Sequence, residues 1–242
     1  MGLTDFLNSV NAVLWHDSVL YILLGVGVLF TAWSGFVQYR ALTHGTRVIR
    51  GDYDDKNDPG ALNHFQALSA ALSGTIGLGN IGGVALAVAL GGPGAVFWMW
   101  VVGFFGMALK ATEVTQAMLF RDTSDPDNPH GGPMWVAKKG LAHINPKLAG
   151  VGTFLGGLYC VAMLISCMLD GNLFQAWNVS NITEQYFGVP SLVSGVVLAA
   201  IVGMVIIGGI KRIGSVTGSL VPIMCALYLV AALYVLIVNI GE

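Results

Sequence analysis

The chain has 242 residues, 55% of them hydrophobic and only 10% charged, and its 11 Lys and Arg against 13 Asp and Glu leave a formal charge of −2. A soluble domain carries roughly 25% charged residues, so this composition, with a mean hydropathy of +0.73, excludes a water-covered enzyme. It also excludes a disordered chain and a nucleic-acid binder, both of which need more charge or a basic excess.

A helix that crosses the hydrocarbon core needs about 20 apolar residues. In chain order, residues 1–18 form a tail without Lys or Arg, and 19–39 is the first stretch long enough to span. The segment 40–60 follows as a loop carrying Arg40, Arg47, Arg50 and Lys56. The second and third spans are 61–90 and 94–120, joined by the tight Gly91-Gly92-Pro93 turn. A loop at 121–147 holds Arg121, Lys138, Lys139 and Lys147, and the remaining spans are 148–177, 190–210 and 213–240. Lys211 and Arg212 separate the last two, whereas 178–189 has no cation. The loop cations thus fall on alternate sides, the positive-inside pattern, which puts both termini outside the cell membrane. Nothing alternates as barrel strands do. The expectation is an all-α integral membrane protein of six spans, with Trp98 and Trp100 as outer interfacial anchors.

The second span holds the least helical sequence. Gly74, Gly77, Gly79, Gly82 and Gly83 crowd around Thr75 and Asn80, and each interior Gly costs a helix about 1 kcal/mol relative to Ala. A break there would free carbonyls of the first half toward a cation. It would also turn N–H groups and the positive dipole end of the second half toward an anion such as a carboxylate. Broken backbone at membrane depth survives only where it is buried or lines a cavity, as in secondary transporters. Gly79 and Gly83 also make a GxxxG, so close helix packing competes as an explanation. The Gly77-x-Gly79-x-x-Gly82 pattern lacks the preceding strand and following acid of a dinucleotide site.

In the third span Lys110 and Glu113 share a helix face and form either a pathway element or a structural ion pair. The fourth span carries Asp170, Asn172 and Gln175 toward its outer end, and Pro222 predicts a kink in the sixth. Cys160, Cys167 and Cys225 fit neither a zinc site nor a disulfide framework and read as small buried hydrophobes. The five His residues are scattered without metal spacing, and no motif supports an enzyme.

The segments 74–83 (Gly-Thr-Ile-Gly-Leu-Gly-Asn-Ile-Gly-Gly) and 91–100 (Gly-Gly-Pro-Gly-Ala-Val-Phe-Trp-Met-Trp) resemble the alanine or glycine:cation symporters, also called sodium:alanine symporters. So do Lys110-Ala-Thr-Glu113, the Gly-Gly-Pro-Met-Trp run at 131–135, Lys139-Gly-Leu141, Gly171-Asn172 with Gln175, and 208–214. The resemblance implies a leucine-transporter-type fold of two inverted five-helix repeats. Here 19–39 would be an extra helix, 61–240 the first repeat and 61–90 its discontinuous helix. It implies substrate contacts from Thr75, Gly77, Gly79, Asn80, Asn172 and Gln175, and a sodium site at Gly74, Thr75 and Asn80, with no other cofactor. The implied function is sodium-coupled symport of alanine, glycine or another small neutral amino acid. The chain would then be an N-terminal half whose second repeat lies in the same or another polypeptide. A channel-like oligomer and a non-transporting assembly subunit are the alternatives.

Overall fold

The computed structural model describes residues 2–55, 60–126, 129–169 and 172–240. Lys56, Asp170 and Gly171, picked out by sequence, lie outside the described residues. Helices dominate, as the hydropathy demands, and the one β-type pairing among the described residues is an isolated bridge between Asp122 and His130.

The helices are α1 (Leu3–Leu14), α2 (Asp17–Trp33), α3 (Val37–Ile49), α4 (His64–Thr75), α5 (Val84–Gly91) and α6 (Gly94–Leu119). Then come the short α7 (Pro133–Trp135) and α8 (Leu141–Ile144), followed by α9 (Ala149–Leu169), α10 (Leu173–Phe187), α11 (Ser191–Ile206) and α12 (Gly209–Val238). Four stretches are long and apolar enough to cross a membrane: Thr4–Trp33, Gly94–Leu119, Pro146–Phe187 and Gly209–Val238. The bent pair α4 and α5 makes a fifth. The chain is a multi-pass membrane protein.

Four to five candidate spans stand where six were expected. α11 has 16 residues, about 24 Å at 1.5 Å per residue, shorter than a hydrocarbon core of about 30 Å. The span expected at 148–177 is covered by α9 and the start of α10, with 170 and 171 between them outside the described residues. Lys211 and Arg212, expected in a loop, ride in the first turn of α12, because the chain reverses at Ile207 and Gly208 instead. Much of the expected tail 1–18 and loop 40–60 is also helical, as α1 and α3.

The first span ends six residues before the expected Tyr39. Gly35, at φ 63°, lets α2 close in a Schellman motif: Gly35 N–H donates to Ala32 O at 3.2 Å and Phe36 N–H to Thr31 O at 2.9 Å. The new helix α3 is then tied back to its neighbours. The buried Gln38 amide donates from Nε2 to Thr31 Oγ1 (3.1 Å) and to the Phe104 carbonyl of α6 (3.0 Å).

Helix contacts are made by small residues, since between apolar helices in lipid it is close packing that drives association. Gly27 of α2 meets Phe105 of α6, and Ala108 is fully buried nearby on α6. Ser69 of α4 and Val221 of α12 are each 2% exposed. A Cβ on Gly214 would overlap Leu62 just ahead of α4. α12 stays helical through Pro222. Cys160 and Cys225 are half-buried and Cys167 is exposed, so the cysteines do not sit in a sealed core; all three are free.

The 133–144 part of the expected 121–147 loop packs against α9. A Cβ on Gly152 would overlap the Ala137 carbonyl oxygen, and one on Gly156 would lie 2.8 Å from that of Met134. Lys138 and Lys139 lie over the Trp135 ring at 5.3 and 4.9 Å. The hydrogen bonds of Ser124 and then Lys139 hold Asp122 below the usual carboxylate range.

Candidate functional site

The glycine-rich stretch is where the second membrane helix breaks. α4 begins in a capping box, with Asn63 Oδ1 accepting from Gln66 N–H (2.8 Å) and Gln66 Oε1 accepting from Asn63 N–H (3.3 Å). Its last turn sends the Ser73 hydroxyl to the Ala70 carbonyl (2.7 Å) and the Thr75 hydroxyl to the Ala71 carbonyl (2.9 Å). Such back-bonding weakens a helix. Ile76 then adopts extended backbone at ψ 110°, and its N–H makes the last ordinary bond, to Leu72 O at 2.8 Å.

Beyond it the donors change partners. Gly77 N–H donates to Asn80 Oδ1 at 3.0 Å, and Asn80 N–H returns to the Gly77 carbonyl at 3.0 Å. Leu78 N–H donates to Oε1 of Gln175, in the first turn of α10, at 3.3 Å. In an unbroken α-helix these two N–H groups would go to the carbonyls of Ser73 and Gly74. Side-chain amides have taken their place, so both carbonyls leave the ladder. The chain resumes as a π-helical turn over Gly79–Gly83 and runs into α5, bent 54° from α4.

Gln175 also explains one glycine sterically. A Cβ on Gly77 would stand 2.6 Å from Gln175 Nε2, whereas Gly74, Gly79, Gly82 and Gly83 have nothing within 4 Å. The GxxxG of Gly79 and Gly83 is therefore not a packing seam among the described residues. That role belongs to Gly27, Gly152, Gly156 and Gly214. Ile76, Gly77 and Leu78 are half-buried, while Gly74, Thr75, Gly79 and Asn80 are exposed. The break thus has one side backed by α10 and the other open.

Of the residues singled out by sequence, Thr75, Gly77, Asn80 and Gln175 bear on the break directly. Gly74 contributes its released carbonyl and Gly79 opens the second half-helix. Asn172 caps α10 without a side-chain cap bond, and its carbonyl accepts from Ala176 N–H at 3.0 Å. No bond joins it to the break among the described residues. Lys110 Nζ lies 2.9 Å from Glu113 Oε1 on α6, with side chains 67% and 48% exposed. This is an ion pair one turn apart on a single helix. Ser73, where the main chain first loses its ladder partner, contributes a released carbonyl as Gly74 does, while its hydroxyl is taken by the Ala70 carbonyl.

The arrangement offers two kinds of recognition within a few residues. Main-chain carbonyl oxygens are hard ligands of the kind alkali cations take, and the start of a helix favours an anion through its dipole.

Comparison with known proteins finds relatives for the chain as a whole. The model of the sodium:alanine symporter family matches residues 1–242. The chain is 41% identical to the sodium/alanine symporter AgcS of Methanococcus maripaludis, over 100% of this chain and 52% of AgcS. It is 36% identical to the amino-acid carrier protein AlsT of Bacillus subtilis, over 98% of this chain and 48% of AlsT. It is 34% identical to the "Probable sodium/glutamine symporter GlnT" of Bacillus subtilis, over 96% of this chain and 46% of GlnT. The chain spans about half the length of the curated relatives it matches.

Proposed function

The chain belongs to the sodium:alanine symporter family, and from that premise we propose that it builds one half of a site for sodium-coupled uptake of a small neutral amino acid. The carrying observation is the exchange of partners at Gly77 and Leu78, where Asn80 and Gln175 take the N–H groups that would otherwise occupy the Ser73 and Gly74 carbonyls. Sodium binds against carbonyls of the Ser73–Thr75 turn. The substrate carboxylate lies toward the N–H groups that open the second half-helix around Gly79 and Ile81, the Asn80 N–H being held by the Gly77 carbonyl. The sodium gradient supplies the energy, and the polypeptide acts as a carrier rather than an enzyme.

The architecture we assign is an outer N-terminus, an extra helix, and a first repeat of five spans opened by the broken one, as in leucine-transporter-type folds. Alternating access is the rocking of one helix bundle against another, and the exposed side of the break receives the second repeat. In this reading Asn172 lines the wall, and Lys110 and Glu113 brace the inner mouth. The membrane is the cell membrane.

Full-length protein reconstituted in proteoliposomes tests this by initial rates of labelled alanine uptake, with and without a sodium gradient. Gly77→Ala is expected to cut the sodium-dependent component by about tenfold or more, and undiminished uptake overturns the reading. Electrical recording separates a carrier from a channel-like oligomer, because a channel passes many ions per opening and needs no co-substrate. A non-transporting assembly subunit would show no sodium-dependent alanine binding in any purified context. For this half alone weak binding or none is expected, and a full-length protein that also fails to bind would favour the subunit.

A further inference from the structure

The Schellman turn after α2 creates a helix that takes no part in the broken-helix site, and α3 displays three faces. Gln38 is buried, and Val37, Gly45 and Val48 beside it are half-buried against the protein. On the next flank Tyr39 and Leu42 are 67% and 71% exposed, with Ile49 two turns beyond Leu42 at 37%. The third face carries Arg40, Arg47 and Arg50, all exposed. Arg40 and Arg47 are two turns apart on one line, and Arg50 is three residues on, within reach of that line. Among the described residues none of the three guanidinium groups forms an ion pair.

Depth follows from α6. Lys110 lies 16 residues after Gly94, about 24 Å along the axis at 1.5 Å per residue, near the far edge of a core of about 30 Å. Gln38 bonds to the Phe104 carbonyl, less than two turns shallower than Lys110. Phe104 itself lies 10 residues after Gly94, about 15 Å along the axis, so α3 begins within the core. Its 13 residues, about 20 Å in length, are long enough to carry Arg47 and Arg50 out to the side where the loop cations gather. A helix that leaves the core there, with an apolar stripe beside an unpaired basic stripe, is built to bring its cationic end to the headgroup layer.

We propose that α3 binds anionic phospholipid at its outward end, with Tyr39 and Leu42 among the acyl chains, Arg47 and Arg50 on headgroup phosphates and Arg40 reaching up toward them along its aliphatic stem. Its Gln38 anchor fixes the basic stripe to the α2–α6 pair, so the lipid contact is made at a defined place on the bundle. Charge complementarity selects the occupant: a juxtamembrane basic cluster attracts anionic lipid, whereas a neutral headgroup leaves the guanidinium groups without counter-charge. This inference does not depend on the transport reading.

The test uses full-length protein with Cys160, Cys167 and Cys225 replaced by Ala and a fluorophore on Leu42→Cys. The protein is reconstituted in phosphatidylcholine containing brominated phosphatidylglycerol or, in parallel, brominated phosphatidylcholine. Quenching by the anionic lipid is expected to exceed that by the neutral one by about twofold or more at equal mole fraction. The excess should vanish in the triple variant Arg40→Gln, Arg47→Gln, Arg50→Gln, leaving neutral-lipid quenching unchanged. It should persist when the same three positions are Lys, which separates charge from folding. Equal quenching by both lipids overturns the proposal, as does an excess that survives the Gln variant. Absence of quenching by either lipid overturns it in favour of a protein covering, from the other half of the polypeptide or a second copy.

Discussion

At Ser34–Phe36 and again at Ile76–Leu78 a membrane helix stops and restarts within three residues, but the stranded backbone groups meet different fates. In the first break the N–H groups of Gly35 and Phe36 return to carbonyls of the helix just ended. Donor and acceptor cancel, and the turn serves only to redirect the chain. In the second, the N–H groups of Gly77 and Leu78 go to the amides of Asn80 and Gln175. Acceptors are left over. A glycine at a helix end is therefore no sign of a binding site by itself; the sign is a nearby side-chain amide that takes a main-chain donor and releases the carbonyl it would have reached.

The largest effect that would sharpen this contrast is at Gly77. Ala there pushes against Gln175, and sodium-dependent alanine uptake should fall by about tenfold or more, a cost of about 1.4 kcal/mol at the least, measured as initial rate in proteoliposomes. Gln175→Leu comes next, because it strands the Leu78 N–H, at a cost of about 1–3 kcal/mol. Uptake should fall severalfold and thermal unfolding in detergent should shift downward. At the closed break, Gly35→Ala puts a side chain at φ 63° and should cost about 1 kcal/mol while surviving protein transports normally. Gln38→Leu removes two donated bonds but also a carbonyl oxygen, Oε1, that has no partner among the described residues. The net loss should be about 1 kcal/mol or less, read by the same unfolding assay. Smallest is Gly79→Ala, which meets nothing within 4 Å and should keep uptake near wild type. The sequence pattern weights Gly77 and Gly79 alike, so this pair of variants separates steric need from composition. Abolition at Gly79 would instead place its close neighbour outside this half of the protein.

The break was legible because five glycines inside an apolar stretch oppose a helix wherever they stand, and the bend falls among them. Its internal wiring was not. Asn80 reads as a ligand for sodium or substrate, but its Oδ1 holds the Gly77 N–H across the gap, and Thr75 Oγ1 is turned back on its own helix. Gln175 reads as a wall residue, yet it braces the break from 97 residues away, a pairing that local pattern cannot carry. α3 was hidden for a different reason. Its arginines made 40–60 read as a loop, although Val37, Ala41, Gly45 and Val48 recur at helical spacing. The short α11 shows the limit of hydropathy, which marks an apolar stretch but not where Pro190 and the Ile207–Gly208 turn trim it.

The seating of the 133–144 segment on α9 carries a mechanical corollary. With main-chain oxygens of Met134 and Ala137 lying on Gly152 and Gly156, the two pieces have no cushion of side chains between them through which to slide. If α9 tilts, this segment must travel with it as its outrigger. A dye on Lys138 would then report the swing of a helix that is otherwise hidden in lipid.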